Sequence, residues 1–203
     1  MGKFRLVLII VLVLATLWKI QNQWSYRAVE HLPGILVPEE PIQTQPPINP
    51  KPIELHGAVL SPVADYEITA RVLGREPYRF GKDSKYSPLD LALGWGRMSD
   101  TAVLDEMTIT QDRRTYFWYS ERLPVTKEYV TAHSANVHCI PANGNVEDDL
   151  MRIRPGEVVT LIGKLVNVNH PDGFSWGTST VRTDSGDGAC EVMYVERAFP
   201  RPR

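Results

Sequence analysis

Hydrophobic positions along this chain fall into three regimes. At the amino terminus, "FRLVLIIVLVLATLWKI" holds no charge from Leu6 to Trp18, and nearly every residue is large and apolar. As a helix, a stretch of this length spans about 25 Å at ~1.5 Å per residue, slightly short of a ~30 Å hydrocarbon core. Leu6–Ile20 is therefore expected to form a single transmembrane helix. Over residues 31–52, "HLPGILVPEEPIQTQPPINPKP", the pattern has no period, and seven of the 22 residues are proline. Such spacing disfavours helix and interior strand and suits an extended polyproline spacer. An alternative has Ile35–Val37 packing along a domain edge. From near Ile53 the chain reads as a domain, with apolar residues recurring at period two over 66–73.

That alternation predicts a mainly β domain. "YEITARVL" (66–73) puts Tyr66, Ile68, Ala70 and Val72 on one face. "MTITQ" and "RTYFWYS" read as strands from their β-branched and aromatic content. "GEVVTLIGKLVNVN", "FSWGTSTVRT" and "ACEVMYVE" read as three strands joined by turns at "HPDG" and "DSGDG", an antiparallel meander. "SPLDLAL" (87–93) reads differently. Ser87 can cap, Pro88 suits the first helical position, and Asp90 sits three after the cap, so a short helix is expected there. Ser99 can start one more turn through Leu104, and "NVEDDLMRI" can be a short helix. The expected fold is a small antiparallel barrel or sandwich, OB-like in outline, with one or two short helices. The expected organisation is an anchor over 1–24, a juxtamembrane and proline-rich linker over 25–52, a β-rich domain over 53–198 and a tail over 199–203.

Flanking residues give the anchor an orientation. Lys3 and Arg5 precede the apolar run and should stay on the cytoplasmic side, which puts the domain outside the cytoplasm. Trp18, Trp24 and Tyr26 fit the far interface. The residues after the run are not the small ones that a signal-peptide cleavage site requires, so the segment reads as uncleaved.

Composition removes several classes of function. The formal net charge is −2, so there is no general pull towards nucleic acid or anionic lipid. Two cysteines exclude a disulfide-rich scaffold and a four-cysteine zinc site. No cofactor-binding or metal-binding motif is present in the chain.

"TAHSANVHCIPAN" (131–143) concentrates residue types used in catalysis. His133 and His138 are five positions apart and diverge on either a strand or a helix, which argues against two ligands of one metal. On a strand Asn136 and His138 share one face, and Val137 and Cys139 share the other. A buried Val/Cys face is the favoured reading. Cys139 and Cys190 could pair across about 50 residues, but two small buried hydrophobes is the preferred expectation. "TDSGDGACE" offers Asp184, Asp187 and Glu191, which reads as a turn rather than a Ca²⁺ loop. In "QDRRTYFWYSER", Arg114, Tyr116 and Trp118 could line one face for ring stacking.

Three stretches, "GWGRMSD", "SANVHCIPA" and "GDGACE", together resemble a set of bacterial membrane-anchored proteins whose members have no assigned activity. The resemblance implies a bacterial inner-membrane protein with its domain outside the cytoplasm, and it implies no catalytic residue. The leading expectation is a non-enzymatic domain that binds or scaffolds a partner at the cell envelope. One alternative is a hydrolase using His133 or His138 with Asp100, Arg114 or Cys190. The other is an OB-like binder of oligosaccharide or nucleic acid using Arg114, Tyr116 and Trp118, with nucleic acid disfavoured by the expected location.

Overall fold

A computed structural model describes residues 27–46, 48–186 and 188–200, together with Val7, Ile9 and Val13. The strands are β1 (Ile42–Thr44), β2 (Ile53–Leu55), β3 (Ala58–Pro77), β4 (Leu89–Gly94), β5 (Thr108–Asp112), β6 (Thr115–Tyr119), β7 (Ser134–Pro141), β8 (Val158–Asn169), β9 (Ser175–Trp176) and β10 (Glu191–Pro200). The α-helices are α1 (Thr101–Leu104), α2 (Lys127–Ala132) and α3 (Gly144–Arg152), with a 3₁₀ turn at Gly96–Ser99.

β3 organises the sheet. Its first part pairs with β8 from Val59 to Arg71, and its last part pairs with β4 from Arg71 to Pro77. β4 then pairs with β7, β7 with β10, and β10 with β8. The ladders thus return through β3, while β1, β2 and β9 attach at the margins. β3 follows period two, with Leu60, Ala64, Tyr66, Ile68 and Ala70 buried between more exposed neighbours. Pro62 cannot donate to a ladder, and it stands where the register with β8 shifts. Gly163 of β8 is required by packing: a Cβ there would lie 2.0 Å from the carbonyl oxygen of Tyr194.

Several expectations are corrected. The sheet is mixed rather than antiparallel, because β7 and β10 run parallel. It is therefore not a closed antiparallel barrel, nor two stacked sheets. β5 and β6 form a separate two-stranded hairpin. "SPLDLAL" is strand rather than helix: every residue of β4 is buried, Leu89, Leu91 and Leu93 alternate into the main core, and this packing outweighs the Ser–Pro cap signal. Within "FSWGTSTVRT" only Ser175–Trp176 is strand. The expected transmembrane helix, Leu6–Ile20, lies outside the described residues apart from Val7, Ile9 and Val13. Among the described residues no helix is long and apolar enough to cross a membrane. The membrane anchor, and the inner-membrane location built on it, therefore have no support in the structure.

The proline-rich segment lies against the domain. Val37 is fully buried in the main core beside Tyr66, Ile68 and Trp95. Its N–H and that of Leu36 donate to Ser99 Oγ at 3.0 and 3.1 Å. Gly34 N–H donates to Asp100 Oδ1 at 2.8 Å, and Val29 N–H to the Pro155 carbonyl at 2.8 Å. Gln43 and its neighbours in β1 add a strand to β3.

Candidate functional site

β7 is the strand on which the site is built. Flanked by β4 and β10, it is buried from Ser134 to Ile140. Ala135, Val137 and Cys139 turn into the main core. Asn136 and His138 turn to the other face with Ser134, as their shared parity requires. The β5–β6 hairpin and the 174–190 segment border that face.

The cross-strand register sets the first contacts there. His138 stands opposite Asp90 of β4 and Val192 of β10. His138 Nδ1 lies 2.9 Å from Asp90 Oδ2, and the two side chains are 3% and 1% exposed. Asp90 Oδ1 accepts from Arg114 Nη1 at 2.7 Å. Arg114 also donates from Nε to Asp83 Oδ2 at 2.6 Å and from Nη2 to the Ser87 carbonyl at 3.0 Å. Its guanidinium lies 3.6 Å from the centre of the Tyr78 ring. Trp176 closes the cluster, with its ring centre 4.4 Å from that of His138. Arg114 is thus a bound structural cation rather than a free ligand contact.

Arg114 also holds a strained turn. Arg113 and Arg114 link β5 to β6 with φ of 47° and 68°. This left-handed pair is normally filled by asparagine and glycine. Arg114 N–H donates to Tyr78 Oη at 2.9 Å, and its carbonyl accepts from Asn136 Nδ2 at 3.0 Å. The hairpin tip is therefore fastened on one side to Tyr78, which follows β3, and on the other to Asn136 of β7.

Beside this cluster lies a cavity of about 160 Å³. Tyr116, Trp118, Ser134, Asn136, Arg182, Cys190 and Glu191 are among its lining residues. A shallower depression lined by Arg114, His138, Trp176 and Cys190 adjoins it through Thr115, Gly186 and Cys190. Most polar groups in the cavity are already engaged. Tyr116 Oη pairs with Ser134 Oγ, which donates to the Val130 carbonyl at 2.6 Å. Asn136 Oδ1 accepts from Gln111 Nε2 at 3.0 Å. Asp184 Oδ2 accepts from Ser179 Oγ at 2.6 Å. Arg182 donates to the Pro41 carbonyl at 2.8 Å.

Glu191 is the exception. It is 7% exposed, and its Oε2 has no hydrogen-bond partner among the described residues. Burial, the largest influence, pushes its carboxyl up to about 8. The residue is therefore largely an uncharged acid at neutral pH, able to donate a hydrogen bond.

The expected catalytic residues assemble only in part: Arg114, His138 and Cys190 line the shallower depression, with Asn136 Nδ2 3.6 Å from Cys190 Sγ, whereas Asp100 and His133 stand apart. Asp100 caps α1, accepting from Ala102 N–H at 2.9 Å and from Gly34 N–H, and these bonds hold its carboxyl below the usual range. His133 ends α2, its Nδ1 3.0 Å from the Tyr129 carbonyl oxygen and its ring stacked on Tyr129 at 3.7 Å. Neither lines the cavity. Cys139 and Cys190 are free thiols on opposite faces of the sheet, so no disulfide forms. Burial pushes the Cys190 thiol up to about 11, which keeps it protonated and a poor nucleophile. Among the described residues no three His, Cys, Asp or Glu side chains could hold a metal ion.

Of the ring-stacking trio, Tyr116 and Trp118 do line the cavity, half-buried, while Phe117 and Tyr119 are the exposed rings of β6. Sequence reasoning missed Asp90 and Asp83 as partners of Arg114. The alternation of Leu89, Leu91 and Leu93 was the available signal for placing Asp90 on the face of Asn136 and His138. No protein-family model, curated protein or solved structure matches this chain.

Proposed function

We propose that the protein is a binding module rather than an enzyme, and that its cavity between β6, β7 and β10 takes a small, uncharged, hydroxyl-bearing ligand such as a sugar ring. The observation that carries this reading is Glu191, a buried acid with an unpartnered oxygen lining a cavity most of whose other polar groups are engaged. An unpaired buried polar atom costs about 1–3 kcal/mol, which a ligand hydroxyl would relieve. Tyr116 and Trp118 supply apolar walls for the ring. The protonated Cys190 and the Asp90-bound His138 argue against nucleophilic chemistry at the same place.

The test is an NMR titration of the full chain with a panel of monosaccharides and linear polyols at millimolar concentration. The expected result is saturable displacement of the Trp118 indole and Glu191 amide signals, with affinity about tenfold lower in Glu191→Ala. If no panel member moves either signal, the reading fails.

A further inference from the structure

A second cavity, independent of the first, is lined by Arg71, a cation with no ion-pair partner among the described residues. Arg71 lies on β3 where its ladder passes from β8 to β4. The residue is 7% exposed. Its Nη1 donates to the Ser99 carbonyl at 3.0 Å and to Thr101 Oγ1 at 2.8 Å. Among the described residues no carboxylate forms an ion pair with it, and Nε and Nη2 make no hydrogen bond. Asp105 and Asp100 act on it only through space, and burial lowers its affinity for its proton. A guanidinium taken this far out of water without a counter-charge is costly, and folded proteins ordinarily pair it.

The cavity beside Arg71 measures about 470 Å³, within the ~300–1,000 Å³ range of small-molecule sites. Leu104, Met107 and Ile109 supply an apolar lining, and the docked segment at Ala28–His31 forms one wall. We infer that this cavity binds a small monocarboxylate with an apolar tail, the carboxylate on Arg71 and the tail against Leu104, Met107 and Ile109. A guanidinium matches a carboxylate through two parallel N–H donors, and Arg71 retains Nε and Nη2 for that purpose. Glu30 and Asp105 also border the cavity. Their negative charge disfavours a phosphate dianion more strongly than a singly charged acid.

The experiment titrates the full chain with octanoate, octanol and octyl phosphate, following backbone amide signals by NMR. Octanoate is expected to saturate with shifts at Leu104, Ile109 and Val29, and to bind at least about tenfold more tightly than octanol. Arg71→Met should reduce octanoate affinity to that of octanol, and Arg71→Lys should restore part of the difference. Should Arg71→Met fail to fold, Ile109→Trp fills the cavity with Arg71 intact and is expected to abolish octanoate binding. Equal affinity for octanoate and octanol, tighter binding of octyl phosphate, or undiminished binding in Ile109→Trp would each overturn the assignment. Octanoate shifts confined to the Glu191 cavity would overturn it too, and would leave the sugar titration as a separate question.

Discussion

Two buried acids, Asp90 in register with His138 and Glu191 in register with Val137, behave oppositely. Asp90 is paired in a nearly dry site: Arg114 donates to its Oδ1, and His138 Nδ1 lies 2.9 Å from its Oδ2 outside hydrogen-bond geometry. Removing one member of such a network leaves the others uncompensated, at a cost of ~3–5 kcal/mol. Asp90→Ala should therefore lower stability on that scale in urea unfolding, and Asp83→Ala by less, because the Asp83 side chain is 32% exposed. Glu191 is unmatched. In the unfolded chain it loses its proton near pH 4.5, whereas in the folded protein it keeps it up to about pH 8. Between those values the folded state binds more protons, so stability falls as pH rises and levels off above pH 8. Glu191→Gln should remove that decline, and urea midpoints measured across the interval give the check. Arg113, 92% exposed at its side chain and left-handed in φ, is a site where the protein can gain. Arg113→Asn should raise stability by about 0.5–1 kcal/mol, since asparagine tolerates this conformation.

Among the elements, those packed by alternation were legible in the sequence and those packed by long-range partners were not. β3 and β8 stand where the period-two residues put them. β4 was obscured because Ser87, Pro88 and Asp90 imitate a capped helix. In the fold Ser87 Oγ does lie 3.3 Å from Asp90 Oδ1, but Asp90 serves Arg114, 24 residues away, rather than a helix end. No local signal reveals that pairing. The same holds for Glu191, whose isolation depends on what the 178–190 segment and β6 exclude from it.

The docking of the segment before β1 was legible only as the alternative that packs Ile35–Val37 along a domain edge, because its anchorage is by backbone N–H groups that prolines leave available at Gly34, Leu36 and Val37. Its attachment predicts a local effect. Ser99→Ala removes the acceptor shared by Leu36 and Val37, so their amides should exchange with deuterium faster while those of β8 stay protected. Gly156→Ala should do the same at Val29, since a Cβ would lie 2.0 Å from the Val29 carbonyl oxygen. Unchanged exchange over residues 29–37 in both variants would mean that the segment is held elsewhere.

For the whole molecule, stability depends on ladders between distant parts of the chain. Gly163 lies where β3, β8 and β10 meet, paired with Tyr66 on one side and Val195 on the other. Gly163→Ala must displace backbone rather than a flexible side chain. The expected loss is ~3 kcal/mol or more, read as a drop in the single unfolding midpoint rather than as a new intermediate.

The position of β10 has a consequence for how the chain can be made. Its residues, 191–200, leave a ribosome after every other described strand, yet in the sheet they lie between β7 and β8. Until they arrive, both neighbours present open hydrogen-bonding edges, and the β7–β10 pairing must close over more than fifty residues of chain. Such non-local closure slows folding and leaves unpaired edges exposed meanwhile. The nascent protein should therefore remain sensitive to protease, and in need of a holding chaperone, until residues 191–200 have emerged from the ribosome.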